Sequence, residues 1–199
     1  MKDLVRRQLA QSIATMQAVH DDERIHDTML SIGKLTADAM RAGGKLLVAG
    51  NGGSAADSQH LVAEFVARLT VDRPALRAIA LTTDSSILTA IGNDWAYDYV
   101  FARQIEALGQ KGDVFLGIST SGNSKNIVRA LHEAKKRGIH TIGFTGNDGG
   151  AMLSLCDLAI VIPSKVTSNI QECHLALEHI FCMIVERCVF GADFGVAAS

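Results

Sequence analysis

What most constrains this chain is a repeated alternation that begins at Lys45. Short apolar runs are each followed by a loop of Gly, Ser, Thr, Asn or Asp, and most of those loops open a stretch with helical periodicity. The runs predict strands over 45–49, 78–81, 114–118, 139–144 and 158–162. Helical patterns follow the first three to about Arg68, Ile91 and Arg137, and a last long helix is predicted over about 169–189. Strands that are apolar throughout are buried on both faces, and a strand–helix repeat joins its strands in parallel. The expected fold is therefore α/β and doubly wound, a five-stranded parallel sheet with helices on both faces. Ahead of it, residues 3–42 read as two helices. Leu9, Ile13 and Met16 mark one face of the first; Ile25, Met29, Ile32, Leu35 and Ala39 mark one face of the second. Gly43 and Gly44 supply the stop.

The chain has 199 residues with no internal linker or low-complexity stretch, so a single domain over 1–199 is expected. Hydrophobic residues make up 48% and charged residues 20%, an ordinary globular balance. The net charge of −2, with no long run of either sign, offers no electrostatic case for nucleic acid or an anionic membrane surface. No window reaches the ~20 apolar residues of a membrane span. The N-terminus leads into polar residues instead of a signal-peptide stretch. Cys156, Cys173, Cys182 and Cys188 form no C-x-x-C pair and read as reduced thiols, so the cytoplasm is the expected location. The tail from Gly191 to Ser199 is rich in small residues and is expected to be loose.

Ligands of open parallel sheets bind at the C-terminal ends of the strands, where the polar loops of this chain lie. The segment Ser119-Thr120-Ser121-Gly122-Asn123-Ser124 offers four hydroxyls and a glycine just before a helix. A helix N-terminus favours an anion, and hydroxyls bind phosphate without adding charge. An ordinary strand-to-helix turn with a serine cap would look the same. Gly50-Asn51-Gly52-Gly53-Ser54 is a near miss to the dinucleotide fingerprint, with Ala55 at the third glycine position. The second strand ends in Thr82-Thr83-Asp84, which does not place an acidic residue at the expected spacing, so no nucleotide cofactor is expected. The loop 145–150 reads as a turn.

Among residues suited to chemistry, His60 and Glu64 stand four apart on the helix after the first glycine loop and share a face. The last helix carries Gln171, Glu172, His174, Glu178 and His179 in an otherwise apolar stretch. Histidine nitrogen and carboxylate oxygen suit zinc and similar ions. Gln171 and His179 lie about 80° apart around one helix but about 12 Å apart along it. That offset is long for one metal. Either Gln171 lies at or before the helix start, or partner-chain residues complete the geometry. A lone histidine on such a helix also fits a core or interface position.

Taken together, residues 50–60 (GNGGSAADSQH), Leu81-Thr82-Thr83-Asp84 through Ala90-Ile91-Gly92-Asn93-Asp94, Ile118 through Ser124, and Ile170-Gln171-Glu172 resemble the phosphoheptose isomerase family of the sugar-isomerase (SIS) domain superfamily. The resemblance spans about residues 40–190. It implies an SIS-type, flavodoxin-like sheet and a ketose–aldose isomerase acting on sedoheptulose 7-phosphate, at the start of heptose synthesis for lipopolysaccharide core or surface glycans. It implies a zinc site at His60, Glu64, Gln171 and His179, with Glu64 and His179 catalytic. Substrate contacts carry over to Asn51, Gly52, Gly53, Glu64, Asn93, Asp94, Ser119, Thr120, Ser121, Ser124 and Gln171. Some members carry an aspartate three residues before the glutamine; here Ser168 stands there and is assigned no role. A homotetramer is implied as well, and the apolar circumference of the last helix points to the same partner, a second copy of this chain. The rival expectation is an SIS protein that binds sugar phosphate or a replication initiator without catalysis. The presence of both Glu64 and His179 favours the enzyme.

Overall fold

In the computed structural model, which describes residues 1–191, the strands are β1 (Leu46–Ala49), β2 (Ala78–Ala80), β3 (Val114–Ser119), β4 (His140–Gly146) and β5 (Leu158–Ile162). They form one parallel sheet in the order β2-β1-β3-β4-β5. The helices are α1 (Lys2–His20), α2 (Glu23–Arg41), α3 (Gly53–Val66), α4 (Ser85–Asp94), α5 (Ala102–Leu108), α6 (Lys125–Lys136) and α7 (Thr167–Phe190).

Side chains of β1 alternate between two cores. Leu46 and Val48 join a cluster with Ile32, Phe65 and Phe181, which come from α2, α3 and α7. Leu47 and Ala49 join another with Ile91, Ile105 and Leu131, from α4, α5 and α6. Both sets are apolar because both faces are covered, which is why the strand shows no alternation in sequence. From β1 the chain steps to β2 on one flank, whereas β3 lies on the other. The loops leaving β1 and β3 therefore diverge and open a crevice at the carboxyl ends of those strands.

The expected doubly wound, five-stranded parallel architecture forms, with differences at its edges. The α7 helix starts at Thr167, so Gln171 lies inside it and not at or before its start. The segment 95–113, left unassigned by sequence reading, holds α5, whose 7 residues are too few to display helical periodicity. The α2 face packs on α7 closely enough that a methyl group on Gly33 would come within 2.3 Å of Ile184 Cγ2. The α1 stripe behaves otherwise: Leu9 and Ile13 are exposed, and Val19 is the helix's one buried residue. Apart from Gly191, the loose tail expected from sequence falls outside the described residues. Among those described, no helix is long and apolar enough to cross a membrane.

His174 seats α7 on the sheet. Its ring is wholly buried, 5.7 Å from the Phe144 ring, with Nε2 lying 3.1 Å from the Thr145 carbonyl. A carbonyl only accepts, so Nε2 carries the proton. Burial drives the pKa down from 6.5 to about 4, and the Thr145 carbonyl raises it only in part. The folded state therefore holds the ring neutral, while the unfolded chain protonates it below about pH 6.5. Stability from this group is full above that pH and is lost as pH falls toward 4, by about 2 kcal/mol at pH 5. His174→Gln keeps a donor for Thr145 and does not titrate. Thermal melts should show the advantage of wild type over this variant shrinking between pH 6.5 and 5; a constant difference would contradict a buried neutral ring.

Candidate active site

The crevice is built first from backbone. Gly52 adopts φ +57° and caps α3 without a side chain, so the exposed Gly53 begins the helix with an N–H that has no intrahelical partner. Asn51 exchanges two amide hydrogen bonds with Asn126, at 2.9 and 2.8 Å, which ties the loop after β1 to the first turn of α6. The loop after β3 is pinned on its other side. Gly122 adopts φ +66° and sits so close to the 149–150 turn that a methyl group there would fall 2.0 Å from the Gly149 carbonyl oxygen. Asn123 accepts from Ala151 N at 3.0 Å and donates to the Ser121 carbonyl at 2.8 Å.

Within this frame, the Ser119 and Ser124 hydroxyls lie 2.8 Å apart, and Ser124 makes no capping bond to α6. Thr120 is half-buried and Ser121 exposed. The structure thus places four hydroxyls at the start of α6 and beside the start of α3. Helix N-termini and neutral donors of this kind suit a small anion. Asn93 and Asp94 close α4; both are exposed, and the Asn93 amide donates to Asp94 at 2.9 Å.

A second group of functional side chains lies along the seam between α3 and α7. His60 Nε2 is 2.9 Å from His179 Nε2, with the rings at 84° to one another. Glu64 Oε1 is 3.6 Å from His60 Nε2. Donor atoms of all three residues lie within 4.8 Å of one another. Gln171 meets α3 elsewhere: its carboxamide lies against Gly53, where a methyl group would come within 2.6 Å of Nε2. The Gly53–Gln171 and His60–His179 contacts are seven residues apart on α3 and eight on α7. The two helices therefore run side by side in the same direction, and Glu64 and His179 meet within one chain. Ser168 lies 3.3 Å from Asn169 Oδ1.

The donor set can be tested against a metal. Zinc holds N and O ligands at ~2.0–2.2 Å in a tetrahedron, which sets adjacent ligand atoms ~3.3–3.5 Å apart. Two separations, 2.9 and 3.6 Å, bracket that spacing and all three lie within 4.8 Å, so His60, Glu64 and His179 are a donor set consistent with a divalent ion.

Several polar groups around the seam carry no motif. Asp57 Oδ2 and both Glu178 oxygens are buried without a hydrogen-bond partner. Burial, and then the Asp57 charge, pushes the Glu178 carboxyl up to about 9, so it is a neutral acid at pH 7. Burial likewise raises Asp57, against the pull of His60. Beneath Glu64, the Arg73 guanidinium is wholly buried and pairs with Glu186 at 2.6 Å. The available signal for Glu178 and Glu186 was position, since both fall on the helical stripe shared with His174, Cys182 and Val185. Asn126 and Arg73 gave no such signal, because their partners are distant in sequence.

The chain matches the SIS domain family over residues 9–146. A phosphoheptose isomerase from Sulfurimonas denitrificans is 49% identical over 191 residues, covering 96% of this chain and 98% of the relative. The solved phosphoheptose isomerase of Neisseria gonorrhoeae superposes with a TM-score of 0.87 at 40% identity, covering 93% of this chain and 98% of that one. The Francisella tularensis structure gives 0.89 at 34% identity, covering 93% and 97%. With family match, near-full-length identity and shared fold in agreement, the chain belongs to the phosphoheptose isomerase family of SIS-domain proteins and is a sugar-phosphate isomerase.

Proposed function

We propose that this enzyme converts sedoheptulose 7-phosphate to D-glycero-D-manno-heptose 7-phosphate through an enediol(ate), in heptose synthesis for lipopolysaccharide core or surface glycans. The observation that carries the chemistry is the convergence of His60, Glu64 and His179 within 4.8 Å, in a chain whose anion cradle lies at the other end of the same helix. The phosphate sits at the start of α6, held by Ser119, Thr120, Ser121 and Ser124. Asn51, Gly52, Gly53, Asn93, Asp94 and Gln171 line the path of the carbon chain. From Gly53 to His60 is about 10 Å along α3, a span that an extended seven-carbon phosphate can bridge.

The Glu64 carboxylate takes a proton from C1 of the ketose, and the C–H electrons form the C1–C2 double bond. His179 donates a proton to O2 as charge develops there and accepts the O1 proton. Glu64 then returns its proton to C2, and the carbonyl is left at C1. With no ion between them, the close approach of His60 and His179, at 2.9 Å, requires a proton on one nitrogen and a lone pair on the other, which gives His179 a neighbour for proton exchange; an ion held by both nitrogens would replace that exchange. His60, Glu64 and His179 would hold zinc; Gln171, the fourth ligand the resemblance implies, rests against Gly53 and stands ~12 Å along α7 from His179. When bound, the ion would polarise the carbonyl. A carboxylate bound firmly to zinc loses basicity, so Glu64 serves both roles only through loose coordination.

A second copy of this chain is the proposed partner, in a homotetramer. Supporting it are the exposed Leu9 and Ile13 of α1, the exposed Leu30 of α2 and the exposed Ile180 of α7. An apolar groove of about 380 Å³ lies between these helices, lined by Met16, Val19, Met29, Leu177 and Ile184 among others. The four cysteines are unpaired, which fits the reducing cytoplasm.

Glu64→Gln keeps shape and removes basicity. It should cut turnover of sedoheptulose 7-phosphate by about 10²-fold or more, with solvent deuterium entering the product of the wild-type reaction. Near-wild-type turnover in the folded variant would eliminate Glu64 as base, and sugar-phosphate binding without turnover by the wild type would establish the non-catalytic reading. Removing metal with a chelator should abolish activity and zinc should restore it; full activity of the stripped protein would dismiss the ion. Light scattering at micromolar concentration should report a tetramer that Ile13→Asp weakens. A fully active monomer would rule the assembly out.

A further inference from the structure

Below the catalytic seam, Arg73 joins three elements at once. Its Nε donates to Glu186 Oε1 at 2.6 Å, its Nη2 to the Glu64 carbonyl at 2.7 Å, and its Nη1 to the Phe65 carbonyl at 2.8 Å and the Pro74 carbonyl at 3.2 Å. The Glu64 and Phe65 carbonyls belong to the last turn of α3, where no intrahelical donor remains. A cation suits that helix end as well. Glu186 lies on α7, seven residues beyond His179. One planar guanidinium therefore fixes the end of α3, at the backbone of Glu64 itself, against α7. Both side chains of the pair are buried, at 0% and 2% exposure, so solvent does not loosen the contact.

The need for such a fixed point follows from the seam. The His60–His179 approach of 2.9 Å and the His60–Glu64 approach of 3.6 Å leave little tolerance for α3 to slide along α7. At the upper end, the register is held by the fit of Gln171 against the bare backbone of Gly53. Between the ends, Phe65 and Phe181 touch with ring centroids 5.4 Å apart. Apolar contacts such as this one tolerate sliding, whereas a multidentate guanidinium does not.

We infer that Arg73 and Glu186 are positioning residues for the isomerase reaction: the buried clamp sets the axial register of α3 on α7 and so holds Glu64 and His60 against His179. The inference rests on the reading of Glu64 as the base. Geometric errors of about 1 Å at reacting groups cost on the order of 10²-fold in rate, so the clamp acts on kcat without touching substrate.

The test separates register from stability. Breaking one partner of a buried pair destabilises the fold, whereas replacing both with apolar residues of similar size restores it. The double variant Arg73→Met/Glu186→Met should therefore recover the melting temperature lost in Arg73→Met. Its kcat should stay at least about tenfold down, with KM little changed. Arg73→Lys keeps the charge and loses the fork; it serves if the double variant fails to fold, with the same expected loss of kcat. In parallel, imidazole 15N resonances of His60 and His179 should shift in either folded variant relative to wild type. Wild-type kcat in a folded variant overturns the inference, and so does a fall in kcat with both imidazoles unmoved. Glu64→Gln is assayed alongside. If that variant keeps wild-type turnover, the base assignment fails while the imidazole resonances still decide the clamp.

Discussion

The alignment of α3 with α7 is the constraint on which the rest of this molecule depends. The two helices run in the same direction, so one seam carries three contacts in order: Gly53 with Gln171, His60 with His179, and the end of α3 with Glu186 through Arg73. The upper contact needs a glycine because the carboxamide occupies the space of a side chain. The lower contact suits an arginine because its fork reaches the Glu64 carbonyl and the Glu186 carboxylate at once. Between them, the proposed acid–base pair is brought together by helix packing instead of by a loop. A site built on packed helices keeps its geometry better than one built on mobile segments.

The two ends of the proposed substrate are handled by different physics. At the phosphate end, no lysine or arginine belongs to the serine loop. In the proposed reading, hydroxyls and the first N–H groups of α3 and α6 take the phosphate, with Lys125 opening α6 just beyond the loop. Such a cradle binds by local direction and short range, which suits one small anion. At the carbonyl end, the ionisable groups are partly open, with His60 at 42% and Glu64 at 19% side-chain exposure. The deeper acid, Glu178, is held neutral by burial and by the neighbouring Asp57 charge, so it does not itself add a negative charge behind the seam.

How much of this was legible in the sequence depended on whether the relevant signal was local. Strands β1 and β3 were plain, because burial on both faces leaves unbroken apolar runs. The glycine and serine loops were legible as turns with ligand potential, since Gly52 and Gly122 both need positive φ and both precede helices. His60 with Glu64 was legible as one helical face. The pairing of His179 with His60 was legible only through the family resemblance, because from the residues alone it depends on the direction in which α7 packs. The roughly 12 Å offset from Gln171 suggested either that Gln171 lay at or before the helix start, which α7 beginning at Thr167 rules out, or that groups from another chain complete the site. Within this chain, parallel packing lets His179 meet His60 while Gln171 meets Gly53. Arg73 carries no motif at all. Its role depends on a turn that brings it back under α3, and the sequence shows only an arginine before a proline.

The α1 stripe shows the same division between local pattern and tertiary context. Periodicity correctly marked Leu9, Ile13 and Met16 as one helical face, but it could not say what covers that face. Among the described residues nothing covers most of it, whereas the corresponding face of α2 is buried against α7. Exposing a row of large apolar side chains forfeits about 25 cal/mol for each Å² left in water, and a domain with two well-filled cores gains nothing from it. The same helical layer continues into Leu30 and Ile180, so the uncovered surface is contiguous across three helices. It lies on the α7 side of the sheet, the side that also carries the His60–His179 seam. A second copy docked there would bury the stripe and shield one wall of the seam from water. The electrostatic interactions that the proposed chemistry relies on would strengthen as that water is excluded.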